Sequence, residues 1–149
     1  MKSLFQSGVQ QEILNRIDTL HKDHKPLWGT MNLYQMVRHC VLAERHYHGE
    51  LPVVIPGHIH LDNGPELLRR FLHDDRPMNR NVPTAREFII QAMEGDLESE
   101  LAAWKSLISE YGNNFREKYT HWFFGEMTRD QLGQLSYKHN DHHLRQFGA

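Results

Sequence analysis

The sequence predicts an all-α domain, a four-helix bundle with a long crossover connection and a short extra helix. Four segments of the chain repeat their apolar residues with the helical period, whereas the alternating pattern of half-buried strands is nearly absent. A stretch rich in Pro, Gly and Asp over residues 51–82 separates the second long helix from the third. Four helices with one long connection are typical of a bundle with a crossover.

The first two helices follow from apolar stripes whose opposite faces are polar. The first helix is predicted over residues 8–21, where apolar residues recur at one-turn spacing. The second is predicted from Asn32, whose side chain suits an N-cap, to Gly49. His39 lies at the edge of the apolar stripe of this second helix. Its ring can therefore turn toward the core.

The second half of the chain carries clear signals for helix starts. A short helix over residues 65–72 begins with a proline, which fits a first helical turn. Capping-box patterns open a third long helix over residues 84–111 and a fourth over residues 128–146. Residues 112–127 are predicted to be a loop, whose five aromatic side chains close one end of the core.

Length and composition narrow the class of protein. A chain of 149 residues suits a single domain with one core, here expected to span residues 1–149. The 17 Lys and Arg against 19 Asp and Glu offer no basic field that would attract nucleic acid or an anionic membrane. The single cysteine, Cys40, excludes an internal disulfide. Because the sequence contains neither an apolar leader nor 18 consecutive apolar residues, a cytoplasmic location is expected.

Histidine is the one residue type in marked excess, with twelve copies. His139 and His143 lie at i and i+4 on the last predicted helix, a spacing at which two neutral imidazoles can chelate one divalent metal. His39 is the natural third ligand, because facing helices of a bundle converge on shared sites. His142 points about 100° away from its neighbour, which leaves it near the site or on the surface.

These and other histidines also have interpretations in which they bind no metal. A pair at i and i+4 on a polar helix is often only a solvated face. The His58-Ile-His60 segment could chelate a metal if extended, but it lies in a Pro/Gly-rich loop where solvated side chains are more common. His46 is a candidate for substrate contact, and His121 is a candidate for packing or for a loop hydrogen bond.

Three motifs also carry a resemblance to a known family. The His-x-x-His-His-x-x-Gln pattern over residues 139–146, together with residues 31–39, is similar to the DinB and YfiT-like superfamily of metalloenzymes. Residues 121–128 and 137–148 resemble one uncharacterised branch of that superfamily. The resemblance implies a four-helix bundle with a long crossover, in which one histidine of the second helix and an H-x-x-x-H pair of the last hold the metal. Those positions correspond to the same three histidines, His39, His139 and His143.

These observations favour a metal-dependent enzyme with an open three-histidine site. Zinc or nickel is the leading ion, with iron and manganese as alternatives. The resemblance implies a small-molecule substrate, either a low-molecular-weight thiol in a transferase or isomerase reaction or the substrate of a metal-assisted hydrolase, and it implies a homodimer. The competing hypothesis is a non-catalytic metal-binding or stress-response module.

No general base can be identified from the sequence alone. Glu44, His46 and His121 are the candidates, to be promoted or excluded by geometry. A zincin-type peptidase is disfavoured, because Asn140 occupies the position of the glutamate in H-E-x-x-H.

Overall fold

The computed structural model describes residues 1–59, 61–82, 84–112 and 115–149, so His60 of the H-x-H segment lies outside the described residues. The described chain contains five α-helices and one antiparallel two-stranded sheet. In order along the chain these elements are α1 (Ser7–Ile17), α2 (Leu33–His48), α3 (Gly64–Phe71), α4 (Leu97–Ser109), β1 (Lys118–His121), β2 (Gly125–Thr128) and α5 (Arg129–Gln146). Short 3-10 helices cover Leu61–Asn63 and Arg86–Phe88. Among the helices of the described ranges, none is long and apolar enough to cross a membrane.

The prediction of an all-α four-helix bundle is wrong. The structure is mostly helical, but a β-hairpin lies between α4 and α5, and the third long helix is much shorter than predicted. Both differences fall in the second half of the chain. There, tertiary contacts outweigh the local sequence preference.

The two helix starts predicted at Asn32 and Thr128 are confirmed. The Asn32 side chain accepts a hydrogen bond from the Gln35 backbone amide at 2.9 Å, and the Gln35 side chain accepts one from the Asn32 amide at 3.0 Å. Gly49 ends α2 with φ of 79°, the left-handed conformation that glycine adopts at low cost. Thr128 and Gln131 form the corresponding capping box of α5.

The predicted helix over residues 84–111 is replaced by an irregular segment followed by α4. The segment lies along the first half of α2, whose polar side chains bind its backbone carbonyls: His39 binds that of Phe88, Gln35 that of Ile90 and Asn32 that of Met93. A carbonyl bound in this way is satisfied without a helical partner. The helix begins only where the Asp96 side chain accepts a hydrogen bond from the Ser99 amide.

The predicted loop over residues 112–127 is also wrong, because it contains both the first strand and most of the second. The strands pair in register, with Tyr119 opposite Met127 and His121 opposite Gly125. All four of these residues are buried, and the residues between them are exposed. The alternation has the period of two expected of a half-buried strand. The hairpin thus carries Tyr119 and His121 into the interior.

The core consists of two apolar clusters. One joins α1, α2, α4 and α5, and the other joins the second half of α2, the crossover, the hairpin and the start of α5. A buried polar network also links α2 and α4 to α5. Glu44 accepts hydrogen bonds from Tyr111, Ser136 and Asn140 at 2.6–2.7 Å, and Trp104 donates to Asn140 at 2.7 Å. This network fixes the face of α5 that carries His139.

Candidate metal centre

Three histidines converge between α2 and α5. His39 comes from the middle of α2, while His139 and His143 lie one turn apart on α5. Their ring centroids are 4.7–5.1 Å apart in every pair. One ring nitrogen of each lies within 4.8 Å of the corresponding nitrogens of the other two. The three predicted ligands therefore form a nearly equilateral triangle of imidazoles.

The orientation of His39 is set by the irregular segment that precedes α4. Its Nδ1 lies 2.9 Å from the Phe88 carbonyl oxygen. A carbonyl can only accept, so Nδ1 carries the proton and donates it. In the neutral ring this leaves the lone pair on Nε2, which faces the other two histidines. His39 is 5 % exposed, so the interior holds its ring in place.

The orientation of His143 is set by a side chain one turn further along α5. Its Nδ1 lies 2.9 Å from Gln146 Oε1, and Gln146 Nε2 donates to the Trp28 carbonyl at 2.9 Å. The second bond fixes which way the amide points, so Nδ1 of His143 is again the donor. Gly29 makes room for this contact, because a Cβ there would lie 2.6 Å from Gln146 Nε2, and its φ of 80° also suits glycine.

The third ring, His139, faces His39 directly. The two Nε2 atoms are 3.1 Å apart, and His139 Nδ1 is a buried atom with no hydrogen-bond partner among the described residues. Without a metal, His139 Nε2–H would donate to the lone pair of His39. With one, both lone pairs would point at the ion. Nitrogens bound at about 2.0–2.1 Å to a tetrahedral ion lie about 3.3 Å apart. The donor set and the spacing of this pair fit a divalent metal, and a nitrogen of the third ring lies within 4.8 Å of both.

Burial favours the uncharged form of all three rings. It lowers the pKa of His39 and lowers the pKa values of His139 and His143 well below the usual range, and a charge on one ring would further oppose a charge on its neighbours. Only the unprotonated nitrogen of a neutral imidazole can bind a metal. His139 is the one member of the three that is not fully buried.

A comparison with protein families places the chain. A family model described as protein of unknown function (DUF1569) matches residues 4–149. The chain belongs to the DUF1569 family. Searches of curated proteins and of solved structures gave no match. The family match confirms an uncharacterised domain family, and the wider resemblance to the DinB and YfiT-like superfamily stays a prediction.

The other histidine on α5 of the DUF1569 protein, His142, is not one of the three grouped ligands, although its ring contacts that of His143 edge-on with centroids 5.0 Å apart. The ring of His142 packs edge-on against Trp28, with centroids 5.8 Å apart. The Arg80 guanidinium lies over the Trp28 ring, 4.2 Å from its centroid. Burial lowers the pKa of His142 as well. The structure thus brings His143, and not its neighbour, next to His39.

Geometry separates the three candidate bases of the DUF1569 protein. Glu44 is fully buried and its oxygens accept three hydrogen bonds, so it cannot contact a substrate. His121 Nδ1 accepts from the backbone amides of Phe123 and Phe124, and burial lowers its pKa to about 3. Its proton is therefore on Nε2, which makes it a donor and not a base. Of the three, His46 is the one that lines a surface recess, which has room for about one water molecule.

Sequence reasoning missed the partners that orient these rings. Gln146 is the last residue of the His-x-x-His-His-x-x-Gln motif. Its i+3 spacing from His143 is the only sequence feature that indicates their hydrogen bond. The Phe88 carbonyl gives no signal at all, because a main-chain acceptor is not encoded by residue type and the segment was predicted to be helical.

Proposed function

We propose that this DUF1569 protein holds one divalent metal ion through the Nε2 atoms of His39, His139 and His143. The observation that carries the proposal is the convergence of three neutral imidazoles, two of which have Nδ1 occupied by an outer acceptor. Metal-binding histidines commonly donate their second nitrogen in this way. The origin of the ligands in α2 and α5 is also the arrangement that the DinB and YfiT-like resemblance implies, which supports membership of that superfamily.

Three nitrogen ligands suit zinc or nickel best, with iron and manganese as alternatives. A site with three protein ligands keeps at least one position for water or substrate. When bound, the ion would supply Lewis acidity, by which a thiol is held as thiolate or a water loses a proton near neutral pH. Because His139 is only partly buried, we propose that a small molecule approaches the ion on its side.

We infer that the reaction is a thiol-dependent transfer or isomerisation, or a metal-assisted hydrolysis. In either reaction, the surrounding residues of the chain orient the three histidine rings. The Phe88 carbonyl and the Gln146 amide hold two rings so that their lone pairs face one point. The Glu44 network fixes the helix face that carries His139.

Metal content tests the proposal directly. Untagged protein, stripped with a chelator and reconstituted with zinc or nickel at neutral pH, is expected to retain about one ion per chain, as measured by plasma mass spectrometry. The matched control is a double variant, His21→Ala with His24→Ala, which removes a histidine pair outside the cluster whose ring centroids are 4.0 Å apart. This variant should retain the same amount. Less than a tenth of an ion per chain after reconstitution, or loss of the ion in the control, would contradict the proposal.

The amide of Gln146 should tune the site without being a ligand. Gln146→Ala leaves His143 Nδ1 without its acceptor, and loss of such an outer contact typically weakens metal affinity by about 10- to 100-fold. Competition titration against a zinc chelator measures this change. Gln146→Glu restores an acceptor and should recover most of the affinity. If both variants bound zinc as tightly as the unmodified chain, the orientation argument would be wrong.

A further inference from the structure

Met93 is the most exposed methionine of the protein. It is 64 % exposed, whereas Met36 and Met127 are buried and the other three methionines, all within the described residues, are partly buried. A thioether is oxidised to a sulfoxide where an oxidant reaches its sulfur. Exposure therefore makes Met93 the methionine that a peroxide in solution reaches most easily.

The sulfur of Met93 also accepts a hydrogen bond. Gln35 Nε2 donates to Met93 Sδ at 3.3 Å and to the Ile90 carbonyl at 3.0 Å, so each of the two amide hydrogens has an acceptor. Gln35 is buried, and its Oε1 accepts from the Asn32 amide in the capping box. The direction of Nε2 is therefore fixed. Because a thioether is a weak acceptor, the contact with Sδ is the weaker of the two.

We propose that Met93 is a site of reversible oxidation, and that its sulfoxide oxygen replaces Sδ as the acceptor of the Gln35 amide in a stronger hydrogen bond. In the oxidation, a lone pair of Sδ attacks one oxygen of hydrogen peroxide. The S–O bond forms as the O–O bond breaks, a proton moves from the transferred oxygen to the departing one, and water leaves. Sulfur loses two electrons, which the peroxide gains.

The product fits the surroundings of Met93. The polar sulfoxide oxygen is a better acceptor than the thioether sulfur. An N–H···O bond has a length of about 2.9 Å, and the exposed side chain can move outward until the oxygen lies between sulfur and amide. Methionine sulfoxide is reduced back by dedicated reductases, so the stronger contact is reversible.

The stronger contact would act on the segment that orients His39. The Met93 carbonyl accepts from Asn32 Nδ2 at 2.6 Å, so the main chain and the side chain of Met93 both bind the start of α2. The same segment supplies the Phe88 carbonyl to His39. An effect of oxidation on a bound metal rests on the proposed three-histidine site. The oxidation of Met93 and its contact with Gln35 do not.

Peptide mass spectrometry after graded treatment with hydrogen peroxide tests the site, and NMR tests the contact. Met93 is expected to be oxidised at least about fivefold faster than any other methionine. The side-chain amide signals of Gln35 should shift as the sulfoxide forms, while those of Gln11, an exposed glutamine on α1, should not. In Met93→Leu, which keeps an apolar side chain without sulfur, peroxide should leave the Gln35 signals unchanged.

Gln35→Glu is the matched variant on the donor side. Glutamate keeps the acceptor of the capping box but cannot donate to Met93. The readout is hydrogen exchange at the Ile89 amide, which donates to the Arg86 carbonyl at 3.2 Å. Because a segment held more firmly opens less often, oxidation should slow this exchange by about twofold or more in the unmodified chain. It should have no such effect in Gln35→Glu.

Three results would overturn the proposal about Met93: another methionine oxidised first, Gln35 signals that do not move, or exchange at Ile89 that is not slowed. Metal content, measured on the same samples, separates this proposal from the metal site. Zinc at one ion per chain without the Met93 response refutes only the oxidation site. The Met93 response in a chain that retains no zinc refutes only the metal site.

Discussion

His139→Ala and His143→Ala are each expected to weaken zinc binding by more than about a hundredfold. Structural zinc sites bind with about 10–16 kcal/mol shared among four ligands, so one ligand accounts for about 3 kcal/mol. Each substitution also removes half of the one-turn pair on α5, leaving two ligands from different helices. Competition titration with a chromophoric chelator gives the affinities, and circular dichroism shows whether each variant remains folded.

The neighbouring residue provides the control. His142 lies on the same helix and is also buried, but its ring packs edge-on against Trp28 and His143 and is not one of the three grouped ligands. His142→Ala should therefore bind zinc within about threefold of the unmodified chain. If it lost as much affinity as His143→Ala, or if neither α5 variant lost any, the assignment of the ligands would be wrong.

The metal-free protein is expected to lose stability steeply between pH 7 and pH 5. His121 has a folded pKa of about 3, against about 6.5 in an unfolded chain. Between about pH 6.5 and about pH 3 the unfolded state therefore binds a proton at His121 that the folded state does not bind. The free energy of unfolding falls as the pH falls. For His121 alone the loss from pH 7 to pH 5 is about 2 kcal/mol. His39, His139 and His143 act in the same direction, since burial lowers the pKa of each.

One group opposes this trend. Burial raises the pKa of Glu44, so the folded state takes up a proton more readily there and gains stability as the pH falls. A single carboxyl does not offset several histidines. Urea unfolding at pH 7 and pH 5, with a chelator present, gives the two free energies. In His121→Gln the difference should shrink by about 2 kcal/mol. Equal stability at both pH values would show that the buried histidines are protonated in the folded protein.

The sequence predicted best where a residue's partner lies close along the chain. Asn32 with Gln35 and Thr128 with Gln131 defined helix starts, and both capping boxes are present. Thr84 and Glu87 gave the same signal, but no long helix forms there. The carbonyls of that segment bind side chains of α2, about 50–60 residues away in the sequence. Because these contacts involve main-chain carbonyls, they produce no periodic pattern of residue types in the sequence.

The β-hairpin shows a second limit. Its strands have only four residues each. The aromatic residues 122–124 of the turn between them favoured the prediction of a hydrophobic loop. A strand this short offers two alternations, too few to stand out from chance. For the site, spacing and resemblance chose three histidines that the fold brings together. The same reasoning left Glu44 and His121 as candidate bases, which only their buried hydrogen bonds exclude.

The two outer contacts of the histidine cluster differ in how mutation can remove them. Gln146 binds His143 through its side chain, so a single nucleotide change in one codon can delete that acceptor. His39 is held by the main chain of Phe88, and every amino acid at position 88 supplies the same carbonyl. Point mutations at this position can therefore accumulate without disturbing the acceptor, provided that the backbone keeps its course. Insertions or deletions in the segment before α4, which shift that course along α2, would remove it.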